Sequence, residues 1–138
     1  MMVTTDNPFP EKMALFWHGH FATRAGNPYF DQMLLHAFRA GGTGKFGDLL
    51  FAVSKSPAML RFLNNQQNRK SHPNENFARE LMELFTLGRG NYTEQYVKEA
   101  ARAFTGWAYD DDAFTIREKQ HDKRRENLSR QDRPFRRR

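Results

Sequence analysis

Four side chains in this 138-residue sequence have the chemistry of a site: His18, His20, Glu80 and His121. Imidazoles and carboxylates hold metal ions and exchange protons near neutral pH, so together they fit a metal-assisted or general acid–base centre. His18 and His20 lie in the stretch WHGHF. On a helix, residues two apart diverge by about 200°, so one cation does not easily take both rings. Zinc-binding helices space their ligands by three or four instead. A mixed metal site of His18 or His20 with Glu80 stays open. So does the plainer alternative, in which each histidine bonds a carboxylate or a carbonyl inside the fold.

Glu80 raises a separate question. In NENFARELMELFTLG, successive residues turn by about 100° around a helix axis. Phe77, Ala78, Leu81, Met82, Leu84, Phe85 and Leu87 then fill somewhat over half the circle, with Arg79, Glu83 and Thr86 opposite. Glu80 falls inside the apolar arc, between Leu87 and Leu84. A carboxylate there needs a cation, a hydrogen-bond donor, a metal or a proton. A buried pair with an Arg, a His or a backbone donor is expected, and Glu80→Ala would then cost on the order of 3 kcal/mol or more. The alternative is a ligand or general acid/base role. Glu75 and Arg79 are four apart and make a favourable surface pair.

Other motifs exclude more than they offer. GGTGKFG lacks the preceding strand and the following Lys-Ser/Thr of a phosphate-binding loop. LGRGNYTEQ has a glycine at the turn of a calcium loop, but Phe85, Leu87 and Arg89 stand where oxygen ligands belong. There is no Gly-x-Ser-x-Gly elbow. Without cysteine there are no disulfides or thiolate ligands, which leaves the compartment open. No apolar run reaches the length of a membrane span, and MMVTTDNPFPEK lacks a signal-peptide layout.

The net charge of +6 is confined to the end of the chain. Residues 123–138 hold eight Lys/Arg against two acids, and residues 1–122 carry fourteen of each. A basic tail of this kind binds polyanions when ordered on them. Its composition also fits a disordered end, and nucleic acid is not the expected partner.

Positioning falls to helices. Pro10 opens a first helix over about 10–23, apolar around most of its girth and so expected to be buried on most sides. A second covers 28–40, a third 46–55, and Pro57 opens a short fourth. Residues 64–73 form a polar loop. A fifth helix runs over 74–87, and a sixth from Thr93, its N-cap, to Gly106, with Trp107 on its buried face. AFTIRE is a weak strand candidate. Trp17, Phe21, Phe85, Phe104 and Trp107 should share one core, bridged by Phe77 and Leu81. The fold class expected is all-α: an irregular multi-helix bundle. Residues 1–9 are a lead-in, 10–122 the helical unit and 123–138 a basic tail.

EKMALFWHGHFAT, SPAMLRFLNN, HPNENFARELMELFTLGRGNYTEQYVKEAARAFTGW and His121-Asp122 together resemble the bacterial family catalogued as domain of unknown function 1800. The likeness spans Pro10 to Asp122. It implies an all-helical domain much longer than this chain, which would be an internal piece with some apolar faces left uncovered. The family brings no established reaction or catalytic residues. Its members often look exported and tend to be encoded beside sulfatase-like proteins, which supplies a partner to test. Members usually continue after His-Asp with a Gly-Glu-Lys-Thr-Phe-Leu-Gly-like stretch. With suitable synonymous codons, that stretch read out of frame gives Arg-Glu-Asn-Leu-Ser-Arg, the residues at 125–130, so an out-of-frame tail after about 123 is expected.

Two functions remain from different classes. One is an exported enzyme, such as a metal-assisted hydrolase, with His18, His20, Glu80 and His121 lining a cleft. The other is a helical binding or scaffold module acting with a neighbouring protein, in which the same residues are internal pairs. The second needs fewer assumptions. Geometry separates them, because an enzyme needs its polar groups to converge on an open pocket.

Overall fold

The computed structural model describes residues 6–124. Six helices come first: α1 (Pro8–Phe21), α2 (Pro28–Gly41), α3 (Phe46–Ser54), α4 (Pro57–Phe62), α5 (Glu75–Glu80) and α6 (Glu94–Ala103). A short 3₁₀ turn (Asn65–Gln67) follows α4, and a π-helical turn (Leu81–Thr86) continues α5. The chain then forms an antiparallel hairpin, β1 (Trp107–Asp110) with β2 (Ala113–Ile116), in which Trp107 faces Ile116 and Asp110 faces Ala113.

The helix starts follow from local chemistry. Asn27, Ser56, Asn74 and Thr93 each accept a hydrogen bond from a first-turn N–H of the helix they precede. This satisfies a donor that the helix itself cannot. Pro28 and Pro57 stand at first-turn positions, where a missing N–H costs nothing.

Burial makes one principal core. Phe30, Leu34 and Phe38, four apart along α2, face Ala14 and Phe21 of α1, Leu49 and Val53 of α3, and Ala58, Met59 and Leu60 of α4. Phe77 and Phe85 close it, and Trp17, Leu81, Phe104 and Trp107 pack on its margin. The shared aromatic core expected from the sequence is therefore present. A smaller group, Ala78, Val97 and Ala101, seals α5 against α6, and Phe104 touches both groups. Arg39 forks onto Glu11 at 2.7 and 3.1 Å, tying α2 to α1. Arg79 bridges Glu75 and Glu94, tying α5 to α6.

Three expectations need correction. The fold is mostly helical but not all-α, since the sixth helix stops at Ala103 and Trp107 begins a strand. Gly106 makes that break: it has φ +76°, and a Cβ there would lie 2.8 Å from Arg117 O and 2.9 Å from His121 N. Next, α1 is not buried on most sides, as only Ala14 and Phe21 are buried, while Leu15 and Phe16 are 55% and 58% exposed. Finally, the fifth helix does not keep α winding. From Leu81 it widens to π hydrogen bonding, with Leu87 N–H donating to Met82 O at 2.8 Å. Leu84, expected in the apolar arc, is consequently turned out and 57% exposed.

Candidate functional site

His20 lies in the last turn of α1, and its Nε2–H donates to Phe85 O in the π turn at 3.0 Å. Phe85 O sits near a helix end, where carbonyls lack intrahelical partners. His20 supplies one, and its ring rests edge-on against Phe21 (4.9 Å) and Trp17 (5.6 Å). The histidine thus pins α1 to the π turn. His18 is exposed and makes no hydrogen bond with the described residues.

Glu80 is half-buried, and among the described residues it has no hydrogen-bond or ion-pair partner. The expected pairing with an Arg, a His or a backbone donor is absent there. The winding changes at the next residue, and Leu84, expected beside Glu80 in a buried arc, is itself exposed. A half-exposed carboxylate with no partner to strand should be cheap to remove. Glu80→Ala is expected to change stability by less than about 1 kcal/mol, measured by urea unfolding. A loss of several kcal/mol would restore the buried-pair reading.

His121 and Asp122 are held by the end of α6. His121 Nδ1–H donates to Thr105 O at 2.7 Å, which leaves Nε2 as the acceptor nitrogen. Asp122 N–H donates to the Thr105 hydroxyl (2.8 Å), which itself donates to Arg102 O (2.6 Å). Arg117 N–H reaches Gly106 O at 2.8 Å, and the chain returns through His121 N–H to Arg117 O. Together with Lys70, Glu118, Lys123 and Arg124, these two residues line an open cleft of about 670 Å³.

Four of the charges in the cleft are matched in pairs, while the Lys70 side chain makes no ion pair among the described residues. Asp122 pairs with Arg124 at 2.6 Å and lies 3.7 Å from Arg102, while Glu118 pairs with Lys123 at 2.6 Å. Side-chain and backbone donors of Arg124 hold the Asp122 carboxyl well below the usual carboxylate range. A carboxyl shifted down on folding adds stability that is complete above its unfolded value, about 3.9. That stability is lost as pH falls through the lower folded value. The melting temperature of Asp122→Asn should therefore lie below wild type at neutral pH and converge on it in strong acid. Melting curves by circular dichroism that stay parallel across that range would refute the assignment.

The structure does not bring the four candidates together. His20 and His121 each spend one nitrogen on a backbone carbonyl, and neither bonds Glu80. Among the described residues, no three His, Asp or Glu side chains are grouped to hold a metal ion. Residues 125–138, with most of the basic tail and its expected change of frame, lie outside the described residues.

The sequence-derived polar loop at 64–73 hides two buried amides that tie it to distant parts of the chain. Asn65 and Asn68 are fully buried. Asn65 Nδ2 donates to Phe104 O (3.1 Å) and Trp107 O (3.0 Å). Asn68 Nδ2 donates to Ala101 O (2.8 Å) and Asn65 Oδ1 (3.2 Å), and Asn68 Oδ1 accepts from Asn74 N–H (2.8 Å). Their three-residue spacing was the available signal, because a 3₁₀ turn sets i and i+3 on one side.

The family model described as "Protein of unknown function (DUF1800)" matches residues 1–133. The chain belongs to this family. No curated protein and no solved structure matches it. The DUF1800 match runs beyond residue 123, where the tail was expected to leave the family pattern. In this DUF1800 chain, FLNN, TGW and His121-Asp122 are parts of one assembly. The first supplies Asn65, the second Gly106 and Trp107, and the last returns to Thr105.

Proposed function

We propose that this DUF1800 chain is a helical binding module that acts by docking another protein. The observation carrying this reading is a row of preset aromatic side chains at the surface of α1 and α3. Phe16 meets Trp17 edge-on at 4.9 Å, and Trp17 stacks on Phe46 at 5.7 Å. Phe16 and Phe46 are exposed, and Leu15 lies beside Phe16 in sequence. Trp17 is fixed by its indole N–H, which donates to Gly42 O at 2.7 Å. Gly42 admits the ring closely, since a Cβ there would lie 2.9 Å from Trp17 Cδ1. Rigid aromatic surfaces of this kind lose little entropy on binding. The polar candidates support the same reading, because His20, His121 and Asp122 serve the fold's own backbone and ion pairs.

The family resemblance supplies the partner to test, a sulfatase-like protein encoded beside the gene. Calorimetry of the two proteins should show saturable binding, weakened about tenfold or more in Phe16→Ser/Phe46→Ser, a loss of about 1.4 kcal/mol. Binding that survives this double variant would dismiss the aromatic face. No binding at all would dismiss the sulfatase-like partner.

A second reading, an exported hydrolase, rests on His121, whose Nε2 has no partner among the described residues and whose ring lines the 670 Å³ cleft. Ester and sulfate-ester hydrolysis that disappears in His121→Gln would favour it. For nucleic-acid binding through the tail, the two described tail residues, Lys123 and Arg124, are already paired with Glu118 and Asp122.

A further inference from the structure

The hairpin and α3 enclose a second, unrelated feature. Lys55 caps the C-terminus of α3, and its Nζ lies 4.0 Å from the centre of the Phe51 ring, 5.0 Å from Phe114 and 5.9 Å from Trp107. The three rings come from α3, β2 and β1. They stand nearly perpendicular, at 84° between Phe51 and Trp107 and 79° between Trp107 and Phe114. Lys55 pairs with no carboxylate among the described residues. Its ammonium is held against ring faces, where the negative face of each quadrupole attracts a cation.

An ammonium is a poor occupant of such a place. It is compact and strongly hydrated, and it gives up hydrogen bonds to water on entering. A quaternary ammonium has no such bonds to lose, which is why aromatic cages recognise it. Beside the rings lies an apolar hollow of about 160 Å³, lined by Gly47, Leu50, Phe51, Leu81, Phe104 and Trp107. Its polar liner, Ser54, already donates its hydroxyl to Leu50 O at 2.7 Å. The cage and the hollow share Phe51 and Trp107 as walls. Phe51 is 56% exposed and leaves the cage open to solvent.

We propose that Phe51, Trp107 and Phe114 form a binding cage for a quaternary ammonium group carrying a short alkyl chain, and that Lys55 occupies this cage when no ligand is bound. The ligand's cation displaces the Lys55 side chain into water, and its alkyl chain enters the hollow. No covalent step is involved. The proposal is independent of the α1 docking face, which uses other rings.

Calorimetry with butyltrimethylammonium chloride tests it on the full chain, with sodium chloride matched throughout. Wild type should bind saturably. Lys55→Ala, which empties the cage, should bind about tenfold more tightly, and Phe51→Leu, which keeps an exposed apolar side chain, about tenfold more weakly. The uncharged isostere of choline, 3,3-dimethylbutanol, should bind about tenfold more weakly than choline to Lys55→Ala. Equal binding of the neutral and charged analogues would overturn the proposal, as would a Lys55→Ala variant no tighter than wild type. Phosphatidylcholine vesicles present the same group on a surface. Retention on vesicles without binding of the free salt would overturn the small-ligand assignment. Circular dichroism of each variant separates loss of binding from loss of fold.

Discussion

Phe77→Ala is expected to cost about 3–5 kcal/mol and to lower the melting temperature by roughly ten degrees or more. Phe77 is fully buried, and its ring meets Phe104 edge-on at 5.0 Å. It belongs to the principal core, while its neighbour Ala78 belongs to the group that joins α5 to α6. Removing the ring leaves a hole between two packed layers. Neither layer can collapse into it freely, because Asn65 and Asn68 hold the carbonyls of α6 and the following turn in place. Chemical unfolding of wild type and variant gives the difference directly. A cost below about 1.5 kcal/mol would mean that this site relaxes, and that the core is less tightly packed than native interiors usually are.

Asn68→Ala is expected to cost about 3–4 kcal/mol, although it removes few atoms. The amide makes three hydrogen bonds in a site shut off from water, and Ala101 O loses the donor that satisfies it. An unsatisfied buried polar group carries its full desolvation penalty. Asn68→Asp separates this effect from simple volume loss. It keeps the shape and the acceptor for Asn74 N–H but cannot donate to Ala101 O while ionised. It should therefore be at least as damaging as alanine at neutral pH. If Asn68→Asp melts like wild type, the network is not what joins the loop to α6.

These two residues also mark where the sequence was and was not readable. Helix starts were legible where a local signal marks them: Thr93 reads as a cap and Pro57 as a first-turn residue, and Asn27, Ser56 and Asn74 prove to cap in the same way. The aromatic core was legible because large apolar rings are buried whatever the details of winding. Asn65 and Asn68 were not, since the carbonyls of Phe104, Trp107 and Ala101 that they bond lie more than thirty residues further along, and a three-residue spacing alone does not name them. Glu80 was misplaced for a different reason. A helical projection assumes one pitch, and the widening at Leu81 changes it one residue beyond the carboxylate. The hairpin was legible only in half. AFTIRE has strand character of its own, whereas Trp107 and Tyr109 read equally well as the end of a helix.

His121 was singled out by type and by its place in a family motif, and it does line a cleft. The structure adds the bond to Thr105 O, which gives the ring its tautomer without any carboxylate. His18, His20 and Glu80 were grouped by chemistry alone. The fold disperses them because α1 and the π turn meet through Phe85 O, a backbone atom that no side-chain pattern reveals.

The two tryptophans lie at opposite ends of α3, and this has an optical consequence. Trp17 stacks on Phe46 at the first turn, with its indole N–H bonded to a carbonyl. Trp107 stands beside Phe51 and Lys55 near the last turn, with a positive charge 5.9 Å from its ring. A nearby cation and a hydrogen-bonded indole shift emission differently, so each fluorophore carries its own spectrum. With Trp17→Phe and Trp107→Phe as single-fluorophore chains, the α1 face and the hairpin can be watched opening separately. The protein thus contains its own pair of dyes, set about one short helix apart.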